Sequence, residues 1–204
     1  MEEFESLQQL YERLVEVTQN ELELKNDLLP YQPDVVDYIV EQITHMNSVI
    51  NNPKTKDRWK PFTIEQHKIE IERFSYLINT YLRTRVKKIE ANAPQLIKLL
   101  RTDMDRGLKF LSPLEAKYLD RYSGSIDTFI KNIIKDMPEN MQQFRLANIK
   151  KMDKTEYAFV QGLTEATIED GDAEIRLEPG VCRILTVSTI VDLLEKGSRQ
   201  FKLI

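Results

Sequence analysis

Between Ile64 and about Asn92 the chain carries neither glycine nor proline, and its apolar residues recur at helical spacing. Ile64, Ile71, Phe74, Ile78, Leu82 and Ile89 form one stripe, and Ile69, Tyr76, Leu77 and Tyr81 widen it well past a single face. A helix of roughly 28 residues is about 42 Å long. That exceeds what a small bundle covers, and a helix apolar over more than half its circumference needs neighbours on several sides. The rest of the fold has to be built around this element, and its surplus of apolar surface points to a partner chain.

The flanking sequence reads as further helices. Phe4, Leu7, Leu10, Tyr11, Leu14 and Val17 give a first helix with one apolar face. Pro33-Asp34 suits the first turn of a second, whose stripe is Val35, Val36, Ile39, Ile43, Met46 and Ile50. Thr63, with Gln66 three residues on, is the expected N-cap of the long helix. Pro94 is expected to open a helix from Gln95 to about Asp105. Ser112-Pro113-Leu114-Glu115 has the form of a capping box and starts a last long helix carrying Leu119, Tyr122, Ile126, Phe129, Ile130, Ile133 and Ile134.

The last quarter is different. Residues 1–152 hold 23 of the 29 basic and 23 of the 33 acidic residues, whereas residues 153–204 hold 6 and 10. Four of the six glycines, Gly162, Gly171, Gly180 and Gly197, fall in that last stretch. Spaced glycines suit short strands joined by turns. Strands are expected at EYAFVQGLT, at Ala173–Leu177, at VCRILTV and at the closing RQFKLI, with turns at Glu169–Asp172 and Pro179-Gly180. Ser188 is expected to cap a short helix that Gly197 ends. The chain is thus expected to be α+β: a mainly α-helical bundle domain of about five helices over 1–138, a linker at 139–152, and a small β-rich C-terminal domain over 153–204.

Little chemistry is on offer. His45, His67 and the lone Cys182 cannot supply a Cys/His zinc set. No GxxxxGK[ST], GxGxxG or GxSxG stands in the sequence. Glu70 and Glu72 point in different directions on one helix. Neither a catalytic site nor a metal or cofactor is therefore expected. One cysteine suits a reducing compartment. The start MEEFESLQQL lacks a basic-then-apolar signal, and no stretch approaches the roughly 18–20 apolar residues of a bilayer span, so neither secretion nor membrane insertion is expected. The net charge of -4 gives no overall pull toward nucleic acid. Arg83-Thr84-Arg85-Val86-Lys87-Lys88 is the one run that suggests direct DNA contact, and a DNA-binding module using residues 83–88 is the alternative reading, together with a generic helical adaptor.

Several motifs together resemble a known family. Leu28-Leu29-Pro30, Pro33-Asp34-Val35-Val36 and Glu41-Gln42-Ile43-x-His45-Met46 are similar to the second-helix region of the GINS family, in its Sld-five type of subunit. Glu72-Arg73-Phe74-x-Tyr76-Leu77-x-x-x-Tyr81-Leu82-Arg83-x-Arg85-x-x-Lys88-Ile89-Glu90 resembles the signature helix of that subunit. Leu111-Ser112-Pro113-x-Glu115, Phe129-Ile130-Lys131-Asn132, Met137-Pro138, Tyr157-x-Phe159-Val160 and the closing Leu203-Ile204 follow in the family's order.

The resemblance implies a helical A domain followed by a small B domain, and a non-catalytic scaffold in a heterotetramer with three other GINS subunits. It implies a nuclear role in starting and moving replication forks. There GINS joins the MCM helicase hexamer and a RecJ-like partner to form the CMG helicase, and DNA polymerase epsilon attaches indirectly. An acidic amino-terminal arm that some family members dock on a replisome hub is expected to be absent, since helical pattern begins at about Phe4. The residues expected at subunit interfaces are Phe74, Ile78, Tyr81 and Leu82 on the long helix, with ordinary core of this chain's own bundle as the alternative. Arg73, Arg83 and Arg85 are expected to form ion pairs within or between subunits, and Phe201, Leu203 and Ile204 to seat the B domain against itself or another subunit. Arg85→Glu is expected to weaken co-purification with sister subunits and to leave helical circular dichroism largely intact.

Overall fold

A computed structural model describes residues 7–53, 58–138, 156–171 and 173–204. The linker read at 139–152 lies outside the described residues, as does Phe4. The chain forms two compact units, Met1–Leu22 with Gln32–Thr84, and Glu23–Tyr31 with Arg85–Ile204.

The helices follow the apolar periodicity. They are α1 (Leu7–Glu23), α2 (Pro33–Asn51), α3 (Pro61–Ala91), α4 (Ala93–Thr102), α5 (Met104–Phe110) and α6 (Pro113–Ile134). The strands β1 (Tyr157–Gly162), β2 (Ala166–Asp170), β3 (Ala173–Leu177) and β4 (Cys182–Thr186) come next, then α7 (Val187–Glu195) and β5 (Phe201–Leu203). The α+β class, a helical bundle followed by a small β-rich region, is as expected. The described residues hold six helices before the first strand rather than about five, because the helix read over 95–105 is two. Asp103 leaves helical geometry, and its carboxylate accepts from the Arg106 N–H to start α5. The α4–α5 corner is tight: a Cβ on Gly107 would lie 2.6 Å from Leu100 Cδ2.

In α3, 31 residues make a rod of about 46 Å. It begins before the expected cap. Thr63 and Ile64 N–H both donate to Lys60 O, so Thr63 lies inside the first turn, and Pro61 supplies a φ already set for a helix. The capping box at Ser112 forms as read: Ser112 Oγ accepts from Glu115 N, and Glu115 Oε2 accepts from Ser112 N. Helix α6 then runs unbroken through Gly124.

In the first unit the buried apolar side chains include Leu10, Leu14 and Val17 on α1, Val35, Val36, Ile39 and Ile50 on α2, and Phe74, Ile78 and Tyr81 on α3. Tyr11 meets Phe74 edge to face, with 5.8 Å between ring centroids. Among the described residues of the second unit two clusters form. Leu28, Ile89, Ala93, Leu96, Ile97, Phe110, Leu111 and Leu119 fill the space among its helices. Val160, Ile168, Leu177, Leu185, Ile190, Phe201 and Leu203 fill the β-module.

The β-module is a three-stranded antiparallel sheet ordered β4-β1-β5 and a separate β2-β3 hairpin. Phe159 stands opposite Ile184, and Val160 opposite Leu203. Strand β2 is not among the strands expected from the sequence, where Glu169–Asp172 reads only as a turn. Its Asp170 pairs with Ala173, and Gly171 (φ +64) takes the left-handed turn position between them. Helix α7 also starts earlier than expected. Thr186, not Ser188, is its N-cap, because the Thr186 hydroxyl accepts from Thr189 N while Asp170 holds Thr186 in place.

Candidate interaction surfaces

The charged run on α3 is split by the helix. Arg85 is fully buried and Lys88 nearly so, whereas Arg83 and Lys87 face outward. Inside the second unit, Arg85 Nε donates to Glu115 Oε1 at 2.8 Å and Nη2 to Glu115 Oε2 at 3.1 Å. Its Nη1 donates to Leu29 O at 2.8 Å and Nη2 to Phe110 O at 2.5 Å. The Tyr31 ring lies 5.3 Å from the guanidinium. A bidentate pair whose leftover N–H groups find carbonyls is the arrangement that makes a buried charge tolerable. It ties together α3, α5, α6 and the residues after α1. With two of four cations spent inside the protein, residues 83–88 are not a continuous basic patch.

The other residues singled out in the sequence divide between interior and surface. Phe74, Ile78, Tyr81, Phe201 and Leu203 are buried in this chain, and Leu82 is half-buried. Arg73, Arg83 and Ile204 are exposed. Arg73 lies over the Tyr11 ring, 5.1 Å from its centroid, and donates to the Tyr11 hydroxyl at 3.2 Å.

Among the described residues three apolar faces are uncovered. On α3, Phe62, Ile69 and Tyr76 project at seven-residue intervals and are 72%, 56% and 70% exposed. Beside them Tyr11, Ile69, Glu72, Arg73, Tyr76 and Leu77 line a groove of about 380 Å³. On α6, Leu119 is buried and Tyr122 and Ile126 pack on the helical cluster, but Phe129 (64% exposed) and Ile133 beyond them project into solvent, with Met137 just past the helix end. On the β-module, Tyr157 and Phe159 of β1, Ile184 of β4 and Ile204 make an outward apolar sheet face.

Sequence reasoning placed Phe129 and Ile133 on one stripe with Leu119, and missed Phe62 and the sheet face. The signal for the latter is the unbroken run Tyr157-Ala158-Phe159-Val160. A strand with one wet face alternates, whereas a strand covered on both sides reads as continuously apolar.

Tyr118 and Asp170 are perturbed, both for structural reasons. Hydrogen bonding to the Glu90 carboxylate raises Tyr118 above its ordinary value, with burial and the Glu90 charge adding to it. Partial burial pushes Asp170 upward, but donors from the Thr186 hydroxyl, the Thr189 hydroxyl and Thr186 N–H more than offset it, and the carboxyl lies below its ordinary value. Among the described residues no three His, Cys, Asp or Glu side chains converge as a metal would need, and no helix is long and apolar enough to cross a membrane.

Residues 18–134 match the helical bundle domain of the Sld5 type of GINS complex protein. The human DNA replication complex GINS protein SLD5 is 30% identical over 202 residues, an alignment covering 94% of this chain and 88% of that protein. The Xenopus laevis protein of the same description is 27% identical over 200 residues, covering 93% and 88%. The Schizosaccharomyces pombe protein is 23% identical over 180 residues, covering 84% and 82%.

Proposed function

The chain belongs to the Sld5 family of GINS complex proteins, and from that premise we propose that it is a non-catalytic structural subunit of a heterotetramer with three other GINS subunits. The single observation that carries this is the set of uncovered apolar faces on α3, α6 and the β-module sheet. Contiguous apolar surface of this kind, rimmed by charge, marks a place where another chain belongs. Through the tetramer the subunit scaffolds the CMG helicase in the nucleus, holding the MCM hexamer and its RecJ-like partner in a working geometry and linking indirectly to DNA polymerase epsilon.

The division into an A domain over 1–138, a linker and a B domain over 153–204 belongs to the same reading. In it, Arg73, Leu82, Arg83 and Ile204 are the accessible part of the subunit interface. Phe74, Ile78, Tyr81, Arg85, Phe201 and Leu203 set that surface from beneath.

Co-expression with the three sister subunits tests the proposal. A complex with one copy of each is expected by native mass spectrometry. Phe129→Asp with Ile133→Asp, both on an exposed face, should lower its recovery at least tenfold while the circular dichroism of the free chain stays as in the parent. Full recovery of the tetramer from that variant would remove α6 from the interface, and failure of the parent to join the sisters would overturn the proposal.

A further inference from the structure

The β-module is small, with five short strands and one helix, and a core of that size is marginal alone. Its core is not made from its own residues only. Leu24 and Leu29, which follow α1, are 3% and 6% exposed and sit in the cluster of Val160, Leu185, Ile190, Phe201 and Leu203. Leu28, between them, enters the helical cluster with Ile89, Leu96, Phe110 and Leu119 instead. Adjacent leucines on one short segment thus reach into two different cores.

We propose that Glu23–Tyr31 is a strap that fastens the β-module to the helices of its own unit, so that the module is seated rather than merely tethered. Polar contacts fix the strap at several points. Leu29 O accepts from Arg85, and Tyr31 N–H donates to Lys109 O at 3.0 Å. Asn92 Nδ2 donates to Asn26 O at 2.6 Å, and Asn26 Nδ2 donates in turn to Glu156 at the entrance to β1, 2.8 Å away and 130 residues along the chain. Asn92 occupies the N-cap position of α4, where asparagine ordinarily holds a helix N–H, yet its side chain makes no cap bond. Its amide serves the strap. The module's own helix answers from the other side: Val191 packs on the helical cluster, and Asp192 and Glu195 face Arg106 at 3.6 and 3.2 Å. Whatever frees the strap removes two leucines from the module's core, so the module loosens with it.

Hydrogen exchange on the full chain tests the coupling, because protection of an amide reports the free energy of the opening that exposes it. Asn92→Ala removes an exposed polar contact to the strap, the bond to Asn26 O. It should speed exchange at Val160 and Leu185 by about fivefold or more, the worth of one hydrogen bond, with the amides of Leu10 to Val17 in α1 unchanged. Leu24→Ala should speed the same module amides at least about thirtyfold. Module amides that keep their parental rates in Asn92→Ala overturn the proposal, as does loss of α1 protection in that variant, which would show general unfolding. If Leu24→Ala unfolds the whole chain, the Asn92→Ala result alone decides.

Discussion

Removing the Arg85 guanidinium tests the most heavily bonded point of the second unit. In Arg85→Met the apolar stem is kept, but Glu115, 8% exposed, is left with an uncompensated charge, and Leu29 O and Phe110 O lose their donors. Breaking a buried pair by deleting one partner costs about 3–5 kcal/mol, and the two abandoned carbonyls favour the upper half of that range. Adding Glu115→Gln should return part of the loss. A glutamine still reaches back to Ser112 N–H in the capping box and carries no charge to strand. The double variant should therefore recover about 2 kcal/mol relative to simple addition of the single losses. Urea denaturation followed by circular dichroism gives the totals, and exchange at the first turns of α6 gives the local value, which is needed because two compact units need not melt as one. A loss under about 1 kcal/mol in Arg85→Met, or a Glu115→Gln change that adds to the damage, would refute the pairing argument. By the same reasoning Arg85→Glu sets a second carboxylate beside Glu115, so that change reports on folding before it reports on assembly.

Two glycines should respond with opposite sign. Gly162→Ala puts a Cβ 2.4 Å from Glu178 O, a backbone atom, and should destabilise the module by about 1–3 kcal/mol. Gly124→Ala meets nothing within 4 Å on α6 and should stabilise the helix by roughly 0.5–1 kcal/mol, both read from thermal melts. The depressed Asp170 carboxyl contributes stability above its unfolded value of 3.8 that is lost as pH falls through the lower folded one. Protection at Leu185 and Ile190 should therefore drop below about pH 4, a step missing in Asp170→Ala. Ultraviolet titration should place Tyr118 above 10.0, and Glu90→Gln should bring it back toward that value.

The helices were legible because their apolar residues repeat at helical spacing over many turns, and because Pro33 and the Ser112–Glu115 box announce two starts in local chemistry. Thr63 misled, since a good capping residue two places after Pro61 is outweighed by a proline that fixes the first turn. Strand β2 was hard to read: Ala166 and Ile168 alternate with Thr167 and Glu169, but the run is only four residues and passes straight into the acidic turn, and its pairing with β3 is what makes it a strand. The fate of Arg85 and Lys88 was also out of reach. Composition displays a basic run, while the helix turns alternate cations inward, and Glu115, 30 residues away, is what makes the burial of Arg85 tolerable. The strap is a case of the same kind. Leu24, Leu28 and Leu29 read as a short apolar connector, and which core each joins depends on residues 60 to 180 places downstream.

The uncovered faces are individually too small to hold a partner. Fully burying a large apolar side chain contributes about 1.5–3 kcal/mol, and the three or four on each face still have part of their surface covered in this chain, so one face contributes roughly 3–6 kcal/mol. Association costs about 4–15 kcal/mol in lost translational and rotational freedom. A partner that covers only α3, or only the sheet, is therefore held weakly, whereas partners that also hold one another share that cost across several faces. Assembly through surfaces of this size is expected to be all or none. A substitution on any one face should then deplete the complete complex without leaving stable two-chain intermediates, and accumulation of a tight pair with one sister alone would contradict this account.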